Sequence, residues 1–204
     1  MHVTVRKYAD KAPLIDGLVP SVRDGFVPLL RRTPGFKGYV AFGSEDGHVV
    51  SVTIFHDAKS AMRADDRVRE GVVSSLRDLL PNPPEVMTGE ALLHEVSKVQ
   101  RDSGPGMFAT VRLFEGIGPR EEVLPLAREH VFLTIKGAPG FRGYYAFLDE
   151  ADSSRGVSAS LFDTREHAME ANAWVVSVMR ERNIAPNPPR VMAGQVAIVA
   201  AAED

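Results

Sequence analysis

The hydrophobic period changes repeatedly along the chain, and each change marks an element. Residues 2 to 8 alternate, with Val3 and Val5 on one side and Thr4, Arg6 and Tyr8 on the other, which is the period of a half-buried strand. Over 13 to 32, Leu14, Leu18, Val22, Phe26 and Leu29 or Leu30 recur at helical spacing, and Pro28 is expected to end or kink that helix. Two further strands, 36 to 42 and 49 to 55, flank Gly43-Ser44-Glu45-Asp46-Gly47, a sequence suited to a hairpin loop. Asp57 then stands as an N-cap before a second helix over 58 to 80. The Pro81-Asn82-Pro83-Pro84 tract stops it, and alternation over 86 to 94 predicts a fourth strand.

The same order of elements occurs twice. Pro34-Gly35-Phe36-Lys37-Gly38-Tyr39-Val40-Ala41-Phe42 returns as Pro139-Gly140-Phe141-Arg142-Gly143-Tyr144-Tyr145-Ala146-Phe147. Likewise Pro81-Asn82-Pro83-Pro84-Glu85-Val86-Met87-Thr88-Gly89 returns as Pro186-Asn187-Pro188-Pro189-Arg190-Val191-Met192-Ala193-Gly194, both at an offset of 105 residues. A polar stretch ending in Gly104-Pro105-Gly106 has linker composition, which divides the chain into a first module (1–96), a linker (97–106) and a second module (107–204). The order β-α-β-β-α-β predicts an α+β fold of tandem ferredoxin-like modules, each a four-stranded antiparallel sheet with two helices on one face. The other face is bare and apolar, so the two sheets are expected to pack face to face as an intrachain pseudo-dimer, a dimeric α+β barrel on one chain. An edge strand left free in each module leaves room for a further homodimer.

Comparing the copies sorts the strand faces. Thr4, Arg6 and Tyr8 match Thr110, Arg112 and Phe114, while Ser51, Thr53 and Phe55 match Ser158, Ser160 and Phe162. The alternate face of strand three holds Val50, Val52 and Ile54 against Val157, Ala159 and Leu161. The aliphatic face is expected under the helices and the mixed polar and aromatic face in a cavity between the sheets, joined there by Thr88, Glu90 and Gln195. This makes Arg6, Tyr8, Thr53, Glu90, Ser160 and Gln195 candidates for binding a small molecule. Arg6 and Arg112 carry charges that cannot be neutralised, so each needs an anion if buried. Either they hold an acidic or enolised ligand, or they pair internally, Arg6 with Glu90 and Arg112 with a carboxylate or carbonyl at the sheet edge.

Composition narrows the chemistry. With 204 residues, 44% of them hydrophobic and 25% charged, the chain has the makings of ordinary globular cores. A net charge of −3 provides no basic field, so nucleic acid is not an expected partner. The opening MHVTVRKYAD has no signal-peptide core and no run approaches 18 apolar residues, which predicts a cytoplasmic protein without membrane association. The absence of cysteine excludes thiolate nucleophiles, disulfides, iron–sulfur clusters and cysteine-bound zinc. Of six histidines, only His2 and His94 share the cavity-side phase, and two without a third ligand predict no metal site. There is no Gly-rich phosphate loop in a strand-to-helix setting and no Gly-x-Ser-x-Gly elbow, so no nucleotide or other cofactor is expected.

Three features together carry a family likeness. They are the Pro-Gly-Phe-x-Gly-Tyr start of strand two, the Phe that ends strand three before an Asp- and Ala-containing helix, and the Pro-Pro-x-Val-Met-x-Gly strand four. Each half of the chain thereby resembles the antibiotic biosynthesis monooxygenase-like family of dimeric α+β barrels. The resemblance implies the barrel and a pocket, since the shared motifs are structural. For the cofactor-independent oxygenases of that family it also implies an Asn and a Trp near the cavity. Here Asn172 and Trp174 match them, where the first copy has Asp65 and Arg67. On that resemblance a phenolic or polyketide-like substrate is deprotonated, Arg112 steadies the anion, and the carbanion-like ring reacts directly with oxygen. The haem-degrading relatives need an axial histidine after the helix tryptophan, and none follows Trp174. The competing expectation is a non-catalytic barrel that binds a small ligand or serves in stress.

Overall fold

The computed structural model describes residues 1–71, 80, 82–97 and 106–202, with the side chains of 65–71 left aside. The end of the expected second helix (72–79), Pro81, most of the expected linker (98–105) and the last two residues lie outside that set. The strands are β1 (His2–Tyr8), β2 (Phe36–Gly43), β3 (Val49–Phe55), β4 (Glu85–Glu90), β5 (Leu93–Val96), β6 (Phe108–Glu115), β7 (Phe141–Leu148), β8 (Arg155–Phe162) and β9 (Arg190–Ala201). Four helical stretches connect them: α1 over 12–31, α2 (Ala58–Gly71), α3 over 120–137 and α4 (Arg165–Glu181). No helix among the described residues is long and apolar enough to cross a membrane.

All nine strands join one antiparallel sheet in the order β4-β1-β3-β2-β9-β6-β8-β7-β5. Each half shows the ferredoxin-like order, β4-β1-β3-β2 in the first and β9-β6-β8-β7 in the second. The expected fourth strand of the first half runs as β4 and then, after a break at residues 91 and 92, as β5. Those two pieces serve different halves: β4 pairs with β1 and β5 with β7. In the same way the first half of β9 pairs with β6 and the rest with β2. The lateral strands β2 and β7 are therefore covered within the chain, and β4 and β5 end the sheet.

The crossing points explain a repeated motif. A Cβ on Gly194 falls well inside contact distance of the Gly43 carbonyl oxygen and 2.9 Å from its carbonyl carbon. A Cβ on Gly89 meets the Leu148 carbonyl oxygen and comes within 2.9 Å of the Phe147 ring. The Met-x-Gly of each copy thus marks where one half's fourth strand passes against the other's backbone. Hydrogen bonds from the Glu150 amide to the Thr88 carbonyl at 2.8 Å, and from the Glu45 amide to the Ala193 carbonyl at 2.7 Å, close these two joints. Arg165 adds a two-pronged ion pair to Glu45 across the halves, at 2.7 and 3.0 Å.

Proline reshapes the first helix of each half. In α1 the helix runs past Pro20 and Pro28 to Arg31, passing through a wide turn at Val22–Phe26. In α3 the corresponding wide turn, Ala127–Phe132, follows Pro125. Proline withholds an amide and its ring crowds the carbonyl one turn back, and an extra residue in the turn relieves both. The expected break at Pro28 is therefore absorbed rather than made. At α2 the expected cap is present, with the Ser60 amide donating to the Asp57 carboxylate at 2.7 Å. That hydrogen bond, with help from His56, holds the exposed Asp57 carboxyl down at about 2. A carboxyl depressed in the folded state stabilises the fold above its ordinary pKa of about 4 and loses that contribution as pH falls towards 2. Acid titration of Asp57→Asn should accordingly show a flatter loss of stability in that window than the parent chain.

The barrel interior is mainly aliphatic, with Phe42 and Phe147 among its side chains, contrary to the expected facing. Val3, Val5, Val50, Val52 and Ile54 of the first half pack with Ala109, Val111, Leu113, Val157 and Ala159 of the second in one buried cluster. The aromatic and hydroxyl-bearing positions face the helices: Phe55 and Tyr39 lie with Leu18, Leu30 and Ala61, and Phe162 and Tyr144 with Val131, Ala171 and Val175. Two sheets about 10 Å apart leave a thin dry layer that aliphatic side chains fill. Beneath the helices there is depth for rings, and helix side chains can satisfy strand polar groups.

Candidate functional site

With the faces exchanged, the polar strand positions meet under the helices of each half. In the second half Arg112 sits on β6 between Ser158 of β8 and Val191 of β9. It is the largest fully buried side chain among the described residues, at 0% exposure. Its Nε donates to Oδ1 of Asn172 on α4 at 2.7 Å, and Nη1 donates to the Ser160 hydroxyl at 3.0 Å. Ser160 in turn shares a 2.7 Å hydrogen bond with Thr110. The remaining nitrogen, Nη2, is buried and has no hydrogen-bond partner.

Among the described residues, every hydrogen-bond partner of Arg112 is neutral. Burial pushes its pKa down to about 10, with Tyr144 pulling the other way, which still leaves it charged at neutral pH. A cation buried among dipoles alone retains most of its desolvation cost and creates a positive potential around itself. The adjacent Tyr144 is buried too; burial raises its pKa, against the opposing pull of Arg112 and Ser158.

A cavity opens beside this cluster. It has a free volume of about 70 Å³ between the second half's sheet, α3 and α4. Val123, Leu124, Ala127 and Val131 of α3 and Val175 and Met179 of α4 form one wall, with Ala127 and Val131 placed there by the wide turn. Phe114, Tyr144 and Ser158 line the sheet side, and Leu93 of β5 contributes from the first half's crossing strand. Apart from Arg120, the polar side chains in the lining are those of Tyr144 and of Ser158, which pairs across from Arg112; Arg112, Asn172 and Ser160 themselves lie outside the lining. The apolar lining with a few convergent polar groups is that of a small-molecule pocket, on a small scale.

The structure brings three of the residues singled out from sequence together: Arg112, Asn172 and Ser160. Trp174 is two positions beyond Asn172, about 200° around the helix, and packs half-buried against the helix–sheet core, outside the cavity lining. Arg6, Tyr8 and Thr53 belong to the equivalent cluster under the first half's helices. There Arg6 lies opposite Ser51, Tyr8 packs on the core, and the Thr53 hydroxyl is buried without a hydrogen-bond partner. Glu90 and Gln195 correct the expectation, for both are exposed. Glu90 pairs across from His2, whereas Arg6 pairs with Val86, about 13 Å further along the strand. The expected Arg6–Glu90 pair is therefore absent, and Arg112 meets the side-chain carbonyl of Asn172 on α4 in place of the expected carboxylate or carbonyl at the sheet edge.

Tyr144, Ser158 and Arg120 were not among the residues chosen from sequence. For the first two a signal existed, since Tyr39 and Ser51 occupy the matching places in the first copy and the Arg6 charge bears on Tyr39 there as Arg112 does on Tyr144. Arg120 carries no such signal.

No protein-family model matches the sequence, and no curated protein matches it either. Solved structures do match the fold. A candidate monooxygenase of Fusobacterium nucleatum superposes with a TM-score of 0.76 at 12% identity, over 98% of this chain and 94% of that one. One from Lactobacillus acidophilus gives 0.73 at 7% identity, over 98% and 95%. An anthrone oxidase-like protein gives 0.63 at 10% identity, over 100% and 94%. At such identities the likeness is one of fold, and the α+β barrel expected from the family resemblance is the fold observed.

Proposed function

We propose that the second half's cavity binds a small, mostly apolar molecule bearing a phenol or enol and that the protein oxygenates it without a cofactor. The observation that carries this reading is the fully buried Arg112, held by neutral partners and standing behind the two polar groups of the sheet wall. Its field favours the anionic form of a phenol or enol placed against Tyr144 and Ser158, lowering the acidity barrier to forming a carbanion. The carbanion adds O2 to give a hydroperoxide, and loss of water leaves a carbonyl where a CH2 stood. One O2 is consumed per substrate; one oxygen atom enters the product and the other leaves as water, with all four electrons drawn from the substrate carbon. Asn172 orients the guanidinium in this scheme, and the neighbouring folds named as monooxygenase candidates and anthrone oxidase-like lend it support. The two modules and their linker act as one unit, because β5 of the first module closes the pocket of the second.

A second reading, binding without turnover, is favoured by one observation: among the described residues, no histidine, aspartate or glutamate is found in the cavity lining. The substrate's proton must then leave to water or arrive already lost. Oxygen-electrode measurements with anthrone and dihydroxynaphthalenes, beside equilibrium dialysis of the same compounds, separate the two. Uptake of one O2 per molecule, reduced at least a hundredfold in Arg112→Met, is the expected result. Saturable binding with no oxygen uptake would establish the ligand carrier instead, and binding of none of them sinks both.

A further inference from the structure

Among the residues lining the cavity, Arg120 differs from all the others in two ways: it is the one exposed side chain, and the one with a formal charge. It opens α3 directly after Pro119, so it stands at the mouth, while Tyr144 and Ser158 lie at the buried end. Glu121 and Glu122 follow it on the same turn, yet Arg120 makes no ion pair or hydrogen bond with any described residue. A cation at the rim of an otherwise apolar cleft is matched by a ligand with an apolar body and an anionic end.

We infer that Arg120 selects the ligand by an acidic group, and that the natural ligand class is an apolar carboxylic acid whose carboxylate sits at the mouth while its apolar body fills the cavity. This rests on the cavity reading above and deepens it, adding a second point of recognition to the phenol or enol end. The guanidinium offers a planar fork that engages both oxygens of a carboxylate, and its aliphatic stem remains free to cover the apolar body. The inference assigns Arg120 a role in specificity and none in the chemical step, since it lies at the solvent side, away from the groups at the buried end.

The test uses two fluorescent probes with the same ring system: 1-anilinonaphthalene-8-sulfonate, which carries an anion, and N-phenyl-1-naphthylamine, which does not. The intact chain is expected to bind the anionic probe at least fivefold more tightly than the neutral one, with the preference shrinking in 1 M salt as exposed charges are screened. Arg120→Glu should weaken the anionic probe about tenfold and leave the neutral probe within twofold. Ala127→Trp, which fills the cavity from α3, should abolish both signals and so locate the probes. Equal loss of both probes in Arg120→Glu, or loss of neither, overturns the inference while leaving the cavity intact. Failure of both probes to bind the intact chain, or indifference of both to Ala127→Trp, overturns the cavity reading and this inference with it.

Discussion

Gly194→Ala should lower the melting temperature by about 10 °C, the largest loss of stability expected from any single added methyl group on this chain. The added Cβ has no empty direction, for it meets the carbonyl of Gly43, which is backbone in a neighbouring strand and cannot rotate aside. Relief requires β9 to move away from β2 at the point where it passes from one half to the other, breaking the Glu45–Ala193 hydrogen bond. Overpacking of this kind costs about 3 kcal/mol or slightly more, and for a chain of this length each kcal/mol shifts the midpoint by roughly 2–4 °C. Gly143→Ala provides the control, because the nearest atom to its Cβ is the Glu95 carbonyl oxygen at 3.8 Å. That substitution should cost less than about 1 kcal/mol. Similar thermal shifts for the two variants would mean that the strand crossing is not a tight joint.

Asn172→Asp is expected to move stability and function in opposite directions. The side chain already accepts from Arg112 Nε at 2.7 Å, so a carboxylate in its place meets the guanidinium without rearrangement and can engage a second nitrogen. The buried cation gains its missing counter-charge, and a gain of about 2 kcal/mol in stability should follow, given the size of charge-assisted hydrogen bonds in buried surroundings. The same change cancels the positive potential behind Tyr144 and Ser158. Affinity for a phenolate or enolate ligand should fall at least tenfold, while affinity for a neutral analogue should remain. Differential scanning calorimetry and ligand titration on one protein preparation measure both. A lower melting temperature would show that Arg112 is already satisfied as it stands; unchanged ligand affinity would show that its charge serves the fold alone.

The elements and their order were readable from periodicity and from the repeat, because each strand and helix is written twice and two imperfect copies of a pattern constrain one another. The facing of the sheet was not. On β3 every position is buried, and on β8 all but Arg155 and Leu161. Alternation announces two kinds of face but not which layer each one joins. The decisive quantity was depth: most rings and the hydroxyl networks lie in the space beneath the helices, while mainly short branched side chains, with Phe42 and Phe147, fill the layer between the two sheets. The same inversion placed Glu90 and Gln195 in a cavity that they do not reach, and left Tyr144 out of it although its counterpart Tyr39 was in plain view, while Ser158 was placed on the cavity face without being singled out. Arg112 and Asn172 were legible as a pair of interest on charge and on divergence between the copies. Their direct contact was not, since it joins a strand and a helix 60 residues apart.

The tandem arrangement has a genetic consequence. Two identical subunits are encoded by one gene, so every substitution is installed twice, and a change that improves one site while unsettling the fold is charged at both. Here the two halves are separate stretches of a single reading frame. Asn172 stands where the first copy has Asp65, and that difference can persist because the two positions mutate independently. One half is then free to carry an electrostatic debt near its pocket that the other need not share. Duplication has turned a symmetric architecture into one whose halves can follow different evolutionary courses without coming apart.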